Sequence, residues 1–309
     1  MRETLSGPAD WQKSVIAVPP MARTPDLDFA PEANRNLIRH LEQAGISIIM
    51  CGGNANFYNI AISEYEGILD FLAETVAADT WVIPAIGPAF GAIRDQVTIL
   101  GRKRFPTAMV LPATANMSSV GIERSIRYAA DKLGQPLVVY AKAENYLSVE
   151  QIAALYRDGC ILFVKYAIVR NDPETDDFLT RLIGAIGAER IVSGIGERPA
   201  LAHFRKFGLK AFTTGSGSVA PASSMRLLRK LKAKDYAAAE EIRQGFLPLE
   251  NLRDGYGPAE ILHAAVTLAG VADMGPVMPL VSEIPAMLVP EVSAAARKLL
   301  TGEANAAHA

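Results

Sequence analysis

Short apolar segments alternate along the chain with stretches whose hydrophobic residues recur at helical spacing. Eight of these segments are rich in β-branched residues and end at a Gly, Pro or polar turn, which is typical of buried strands. The predicted strands are 14–18 (SVIAV), 46–50 (ISIIM), 80–86 (TWVIPAI), 107–111 (TAMVL), 136–140 (PLVVY), 160–165 (CILFVK), 190–194 (RIVSG) and 210–214 (KAFTT). A helix is predicted after each strand. The first contains Leu37, Ile38 and Leu41 as one apolar stripe and ends at Gly45.

Continuous apolar strands that alternate with helices predict a parallel sheet covered on both faces. Eight strand–helix units predict a closed (β/α)8 barrel, the TIM barrel. The alternative is an open doubly wound sheet, which usually has fewer units and a glycine-rich phosphate turn after its first strand. After Thr214 the alternation stops and only helical patterns follow. We therefore predict a barrel with the catalytic site over 1–220 and a C-terminal helical region over 221–309.

Composition narrows the class of protein. The chain has 309 residues, 50% of them hydrophobic, so it can bury a large core, and its net charge of −2 argues against nucleic acid as a partner. Cys51 and Cys160 lie in apolar runs, which favours free thiols in a reducing compartment, the cytoplasm, over a disulfide framework. No apolar stretch resembles an export signal or a membrane span, so no membrane partner is predicted.

The candidate chemistry lies at strand ends, because barrel enzymes carry catalytic groups at the C-terminal ends of their strands. Lys165 ends the apolar sixth strand, where partial desolvation lowers the pKa of an amine and lets it condense with a ketone. Tyr140 ends the neighbouring fifth strand, from which its phenol can move a proton to or from the reacting oxygen. The plainer alternatives are a rim lysine that extends into water and a core tyrosine. Lys142 is the competing lysine.

Other polar or glycine positions at strand ends are candidate substrate contacts. Gly53 and Asn54 follow the second strand, and we expect their backbone amides, at a helix N-terminus, to hold a carboxylate. Gly194 and Thr213 end the seventh and eighth strands and are expected to line the pocket. Thr114 follows the fourth strand and is expected to contact distal hydroxyls.

These residues resemble the dihydrodipicolinate synthase / N-acetylneuraminate lyase family, which acts through a Schiff base with pyruvate-type substrates. The resemblance runs from VIAVPPM to MGPVMPLV and rests on PLVVYAK, ILFVKYA, VSGIGE and AFTTGSGSVAP. It implies a barrel with three C-terminal helices that assembles as a homotetramer or homodimer. It also implies that Lys165 is the imine lysine and Tyr140 the acid/base residue, and that the enzyme needs neither cofactor nor metal.

The chain departs from the family pattern in instructive places. The family's Gly-Thr-Thr-Gly-Glu after the second strand is replaced by 52–56 (GGNAN), which has no hydroxyl. The tyrosine expected near 112–114 and the arginine expected after the fifth strand are absent, which disfavours dihydrodipicolinate synthesis. The run 56–58 (NFY) resembles the sugar-acid branch, including 5-dehydro-4-deoxyglucarate dehydratase. We therefore predict a lyase, either an aldolase or a dehydratase, for a small 2-oxo acid such as pyruvate or a keto-deoxy sugar acid.

Two rival functions remain at this point. A non-catalytic barrel that binds a sugar acid or metabolite would account for the altered turn at 52–56, although such a binder needs no amine beside a phenol. A nicotinamide enzyme rests only on the glycine-rich run 215–220 (GSGSVA), whose following acid, Asp235, lies in a helical stretch. The histidines show no metal-ligand spacing.

Overall fold

Eight parallel strands form the centre of the computed structural model, which describes residues 1–307. The strands run in the sheet order β7-β6-β5-β4-β3-β2-β1-β8. A parallel bridge between Ser193 and Phe212, with Ser193 N donating to the Ala211 carbonyl at 3.0 Å, joins the two ends and closes the barrel. The strands are β1 Ile16–Ala17, β2 Ile48–Cys51, β3 Trp81–Ile86, β4 Met109–Val110, β5 Leu137–Ala141, β6 Ile161–Tyr166, β7 Ile191–Ser193 and β8 Thr213–Thr214. The predicted barrel is confirmed, and the open-sheet alternative is wrong.

Helices alternate with the strands and then continue beyond them. They are α1 Pro8–Gln12, α2 Pro31–Gln43, α3 Ile62–Thr75, α4 Phe90–Leu100, α5 Ser119–Leu133, α6 Val149–Arg157, α7 Asp177–Ile186, α8 Ala200–Phe207, α9 Pro221–Lys232, α10 Tyr236–Tyr256, α11 Pro258–Leu268 and α12 Val289–Ala307. By chain order α9 is the helix that follows β8, so we propose that the barrel extends through α9. The division expected between residues 220 and 221 then moves to the end of α9, leaving α10, α11 and α12 as the additional helices.

Local sequence signals explain several element boundaries. The stripe predicted in α2 is buried, with Leu37, Ile38 and Leu41 each at most 4% exposed. Ser148 caps the N-terminus of α6: its hydroxyl accepts from Gln151 N while the Gln151 side chain accepts from Ser148 N. Gly134 caps the C-terminus of α5, and its φ of 64° is a left-handed conformation that suits glycine.

Helix α1 is an element that the sequence pattern did not predict. Its Trp11 is fully buried, with its ring centroid 5.3 Å from that of Phe163 on β6. The indole nitrogen donates to the Glu189 carbonyl, just before β7, at 3.1 Å. Helix α1 therefore covers the N-terminal end of the barrel, opposite the mouth where the candidate residues lie.

The additional helices pack on the barrel through a second apolar core. Phe246 and Leu249 of α10 are fully buried there with Ile261 of α11 and Val292 of α12, and this core includes Leu37 of α2. Burying a side chain of this size stabilises the fold by about 2 kcal/mol. The packing fixes α10 against the barrel, so residues on α10 can contribute to the mouth. Among residues 1–307, no helix is long and apolar enough to cross a membrane.

Candidate active site

Lys165 and Tyr140 occupy directly paired positions on neighbouring strands. In the β5–β6 ladder Tyr140 is the register partner of Lys165, so both side chains project from the same face of the sheet. The lysine Nζ lies 3.8 Å from the centroid of the Tyr140 ring. The structure therefore brings the two predicted catalytic side chains into contact, with the amine above the face of the phenol ring.

The surroundings of the amine favour its neutral form. Lys165 is only 4% exposed. Burial, followed by the nearby charges of Lys142 and Arg253, lowers the pKa of its amine from 10.5 to about 7. Burial also raises the pKa of the Tyr140 phenol to about 12, against the opposing charge of Arg253. At neutral pH a large share of the lysine is thus an unprotonated nucleophile, while the phenol retains its proton.

A cleft of about 650 Å³ opens at this mouth of the barrel. Five of the predicted site residues line it, namely Lys165, Tyr140, Asn54, Gly194 and Thr213. Thr213 is 2% exposed and pairs with Ile16 on β1, which holds it at the rim. The cleft is large enough for a small organic acid.

Gly194 has a steric role beside the amine. A Cβ atom there would lie 2.8 Å from Lys165 Cγ and 2.8 Å from the Tyr166 carbonyl oxygen. The Gly194 nitrogen donates to that carbonyl at 2.6 Å, so the loop after β7 lies directly against β6. A side chain at this position would displace the lysine.

The turn after β2 differs from its predicted conformation. Gly53 and Asn54 are not at a helix N-terminus, because α3 begins only at Ile62. Backbone hydrogen bonds from Asn56 N to Gly53 O and from Phe57 N to Gly52 O fold this segment into tight turns. Gly53 lines a second cavity of about 320 Å³, which shares Asn54, Tyr140 and Lys142 with the main cleft.

Asn54 lies at the junction of the two cavities. Its side-chain nitrogen donates to the Val18 carbonyl on the loop after β1 at 2.8 Å. A carboxamide nitrogen carries two protons, so one remains for a ligand.

Thr114 lies apart from the other predicted residues. It is exposed and lines neither of the two cavities. A contact between Thr114 and substrate stays a prediction that this geometry does not support.

Sequence reasoning missed the contribution of α10. Arg253 lines the cleft and is 5% exposed, and its charge acts on both Lys165 and Tyr140. Its Nη1 donates to Glu250 Oε1 at 2.8 Å, and its Nε and Nη2 donate to Asp254 Oδ1. No local pattern marks this arginine, because its place depends on how α10 packs against the barrel.

The described residues give no evidence of a metal or dinucleotide site. Within residues 1–307, no three His, Cys, Asp or Glu side chains cluster as a metal site would require. In the glycine-rich run after β8, Gly217 N donates to Thr214 Oγ1 at 2.7 Å. A Cβ at Gly217 would lie 2.7 Å from Ser224 Oγ, so this turn packs closely on its own chain.

No protein-family model matches the chain. The structure superposes on a dihydrodipicolinate synthase from Bacillus clausii with a TM-score of 0.82 and 21% identity, covering 95% of this chain and 98% of that one. It superposes on a sialic acid aldolase from Ruminococcus gnavus with a TM-score of 0.81 and 13% identity, covering 95% and 99%.

The chain has the dihydrodipicolinate synthase fold. The resemblance predicted from the sequence is confirmed by these neighbours. A curated relative from Pseudomonas putida, named "Probable 5-dehydro-4-deoxyglucarate dehydratase", is 23% identical over 260 residues, which are 81% of this chain and 83% of that protein. This low identity makes the chain a divergent relative of proteins with the dihydrodipicolinate synthase fold.

Proposed function

We propose that this protein is a class I lyase that forms a Schiff base between Lys165 and a small 2-oxo acid. The observation that carries the proposal is the position of the amine. Lys165 is buried at the cleft with a pKa near 7, and its Nζ touches the ring of Tyr140. The names of the aldolase and dehydratase relatives support the same reaction class.

The reaction begins with attack of the neutral amine on the ketone carbon. The carbinolamine that forms loses its hydroxyl as water and becomes an iminium, which draws electrons from a bond at the adjacent carbon. Loss of a proton from that carbon gives an enamine, which expels a hydroxyl as water in dehydration. In aldol cleavage the adjacent carbon instead loses its bond to a hydroxyl-bearing carbon: the proton of that hydroxyl passes to Tyr140, the fragment leaves as an aldehyde, and the bonding electrons form the enamine of the shorter acid. Protonation of this enamine returns it to the imine. Hydrolysis of the final imine restores the amine.

Tyr140 is proposed to act first as an acid. Because its phenol retains its proton at neutral pH, it can protonate the carbinolamine hydroxyl as that group leaves. The phenolate then takes back a proton from the adjacent carbon or from water. A non-catalytic binder would need no such pair of side chains on the cleft.

We propose that the substrate carboxylate beside the ketone rests against the turn at Gly53 and Asn54. This turn borders the cavity that shares Tyr140 with the main cleft, and Asn54 retains an N–H for a ligand. Gly194 and Thr213 line the same cleft as Asn54. The altered turn then replaces the family's hydroxyls with amide donors.

Borohydride trapping tests the proposal directly. Incubation with pyruvate and sodium borohydride should add the mass of one reduced pyruvate imine to the peptide that contains Lys165. Lys165→Met should abolish the adduct, while Lys142→Met should retain it. Unmodified protein across a panel of 2-oxo acids, or an adduct at Lys142 alone, would contradict the proposal.

We further propose a homotetramer or homodimer in the cytoplasm. Large apolar side chains such as Leu280 and Met287 are 93% and 84% exposed, and a subunit interface would cover surface of this kind. Both cysteines are free thiols, which suits a reducing compartment. Light scattering coupled to gel filtration measures the assembly, and a monomer at micromolar concentration would contradict it.

A further inference from the structure

The cleft is lined by far more basic than acidic side chains. Six basic residues face it, and Asp254 is the one carboxylate among the described residues that line it. The six are Lys142, Lys165, Arg170, Arg198, Arg243 and Arg253. All four arginines also pair with carboxylates. Arg198 pairs with Asp254 itself, whereas the Glu240 partner of Arg243 does not line the cleft. The excess at the surface of the cleft favours an anionic ligand.

Arg253 is the most deeply placed of these arginines. It is 5% exposed, and its charge acts on both members of the reactive pair. A guanidinium has five N–H groups, and three of those of Arg253 donate to Glu250 and Asp254. Two N–H groups therefore have no acceptor among the described residues, while the side chain borders the cleft. A carboxylate can accept both.

The guanidinium is held in place before any ligand arrives. Glu250, its ion-pair partner, is fully buried and also accepts from Arg198 N at 2.7 Å and from Ser216 Oγ at 3.3 Å. The loop after β7 closes over this pair at Gly196, whose φ is +101°. A Cβ there would lie 2.6 Å from both Arg253 Nη1 and Glu250 Oε1. Because these contacts already hold the Arg253 guanidinium in one position, little conformational entropy of its side chain would be lost when a ligand binds.

A second buried acid lies next to this pair. Glu197 is fully buried and accepts from Thr214 Oγ1 and Ser224 Oγ, both at 2.5 Å. Burial and the charge of Glu250 raise the pKa of the Glu197 carboxyl, so it tends to stay protonated. Glu197 therefore adds little negative charge against a ligand at Arg253.

Arg253 and the turn at Asn54 lie on different sides of the mouth. The turn follows β2, whereas Arg253 adjoins the loop after β7, and β1 and β8 separate these two strands in the barrel. Both groups nevertheless line the same cleft, together with the amine. A substrate whose first carboxylate lies at the turn would extend from the imine carbon toward Arg253.

We propose that Arg253 is a specificity-determining residue that binds a second carboxylate, at the end of the substrate away from the ketone. The preferred substrates are then 2-oxo diacids. This inference rests on the proposed imine at Lys165. It specifies, in addition, that the substrate carries a second negative charge far from the ketone.

The test compares two six-carbon acids that differ only at the far end, 2-oxoadipate with a terminal carboxylate and 2-oxohexanoate with a terminal methyl group. Trapping at Lys165 with cyanoborohydride is followed by mass spectrometry over a range of acid concentrations. We expect the wild-type protein to trap the diacid at least about tenfold more efficiently. Arg253→Met should lose this preference, and Arg253→Lys, with a single ammonium in place of the planar fork, should retain only part of it.

Controls separate binding from folding. Arg127→Met removes an arginine that also pairs with two carboxylates, Glu123 and Asp158, but lies outside the cleft, and it should retain the wild-type preference. Because Arg253→Met leaves Glu250 buried without its partner, the double variant with Glu250→Gln provides a second protein in which the preference should also be lost. Circular dichroism confirms that each variant is folded.

The outcomes are distinct. An adduct with neither acid nor with pyruvate defeats the proposed function and this inference with it. Adducts with both acids but no wild-type preference overturn the role of Arg253 and leave the lyase intact. A preference that survives in the folded variants of Arg253, or an equal loss of trapping for both acids, assigns Arg253 a purely structural role and also overturns the inference.

Discussion

The buried amine of Lys165 should lower the stability of the folded protein, and replacing it should reveal by how much. In the unfolded chain a lysine amine has a pKa near 10.5, whereas in the folded protein the pKa of Lys165 is about 7. The folded state therefore disfavours the charged form. Lys165→Met removes the charge while retaining an unbranched side chain of similar length, so it should increase the free energy of unfolding.

The magnitude follows from the two pKa values. Each unit between them corresponds to about 1.4 kcal/mol, so the full effect has an upper limit of about 5 kcal/mol. Below pH 7 both states bind the proton, and the folded wild-type protein bears the whole cost of burying it. Between pH 7 and 10.5 only the unfolded state is protonated, so the cost declines as pH rises. Above pH 10.5 it disappears.

Urea denaturation at pH 6.5 and at pH 9.5 measures this effect. We expect Lys165→Met to be more stable than the wild-type protein by several kcal/mol at the lower pH, with a difference smaller by about 3 kcal/mol at the higher pH. Lys210→Met, at an exposed lysine just before β8, is the matched control and should change stability little at either pH. A variant difference that does not depend on pH, or a less stable Lys165→Met, would show that the amine is hydrated and refute the reasoning.

Three further predictions concern the site and its neighbours. Tyr140→Phe should form the pyruvate adduct more slowly and should reduce turnover of 2-oxo acid substrates by about 10²–10⁴-fold, measured by trapping time courses and steady-state kinetics. Unchanged rates of both would contradict a proton-transfer role. Gly194→Ala should abolish the adduct, because its Cβ would lie 2.8 Å from the lysine Cγ, while Gly184→Ala, with nothing within 4 Å, should retain it in the same mass-spectrometric assay. Cys51, buried and with a thiol pKa raised to about 12, should resist iodoacetamide in the native protein while Cys160 reacts, and prompt labelling of Cys51 by peptide mapping would contradict its burial.

The sequence predicts the barrel well because each strand carries its own signal. All eight predicted apolar runs overlap the observed strands, and the β-branched pattern reflects burial on both faces of a parallel sheet. The same apolar pattern identifies Lys165 as a candidate, because a lysine that follows a buried apolar run is expected to be partly buried itself. Helix α1 was missed because five residues are too few to show a helical period.

The rest of the site depends on packing between distant segments. Arg253 lies on α10. The apolar stripe of this helix predicts that the helix packs against the protein, but it does not predict which strand ends the helix lies beside. The conformation of the turn at Gly53 depends on backbone hydrogen bonds that residue types do not specify. Thr114 follows a strand in the sequence as the other candidates do, but it is exposed and does not line the cleft, and the residue pattern carries no sign of this difference.

The pairing of Tyr140 with Lys165 across one ladder has a consequence for how this protein can change. The separation of nucleophile and proton carrier is set by main-chain hydrogen bonds between strands, and no flexible loop has to close to create it. Sequence drift in the surrounding turns can therefore alter which acid is admitted while the chemical step stays intact. The positions of Tyr140 and Lys165 are thus fixed by the barrel strands, whereas the choice of substrate depends on the turns around the barrel mouth.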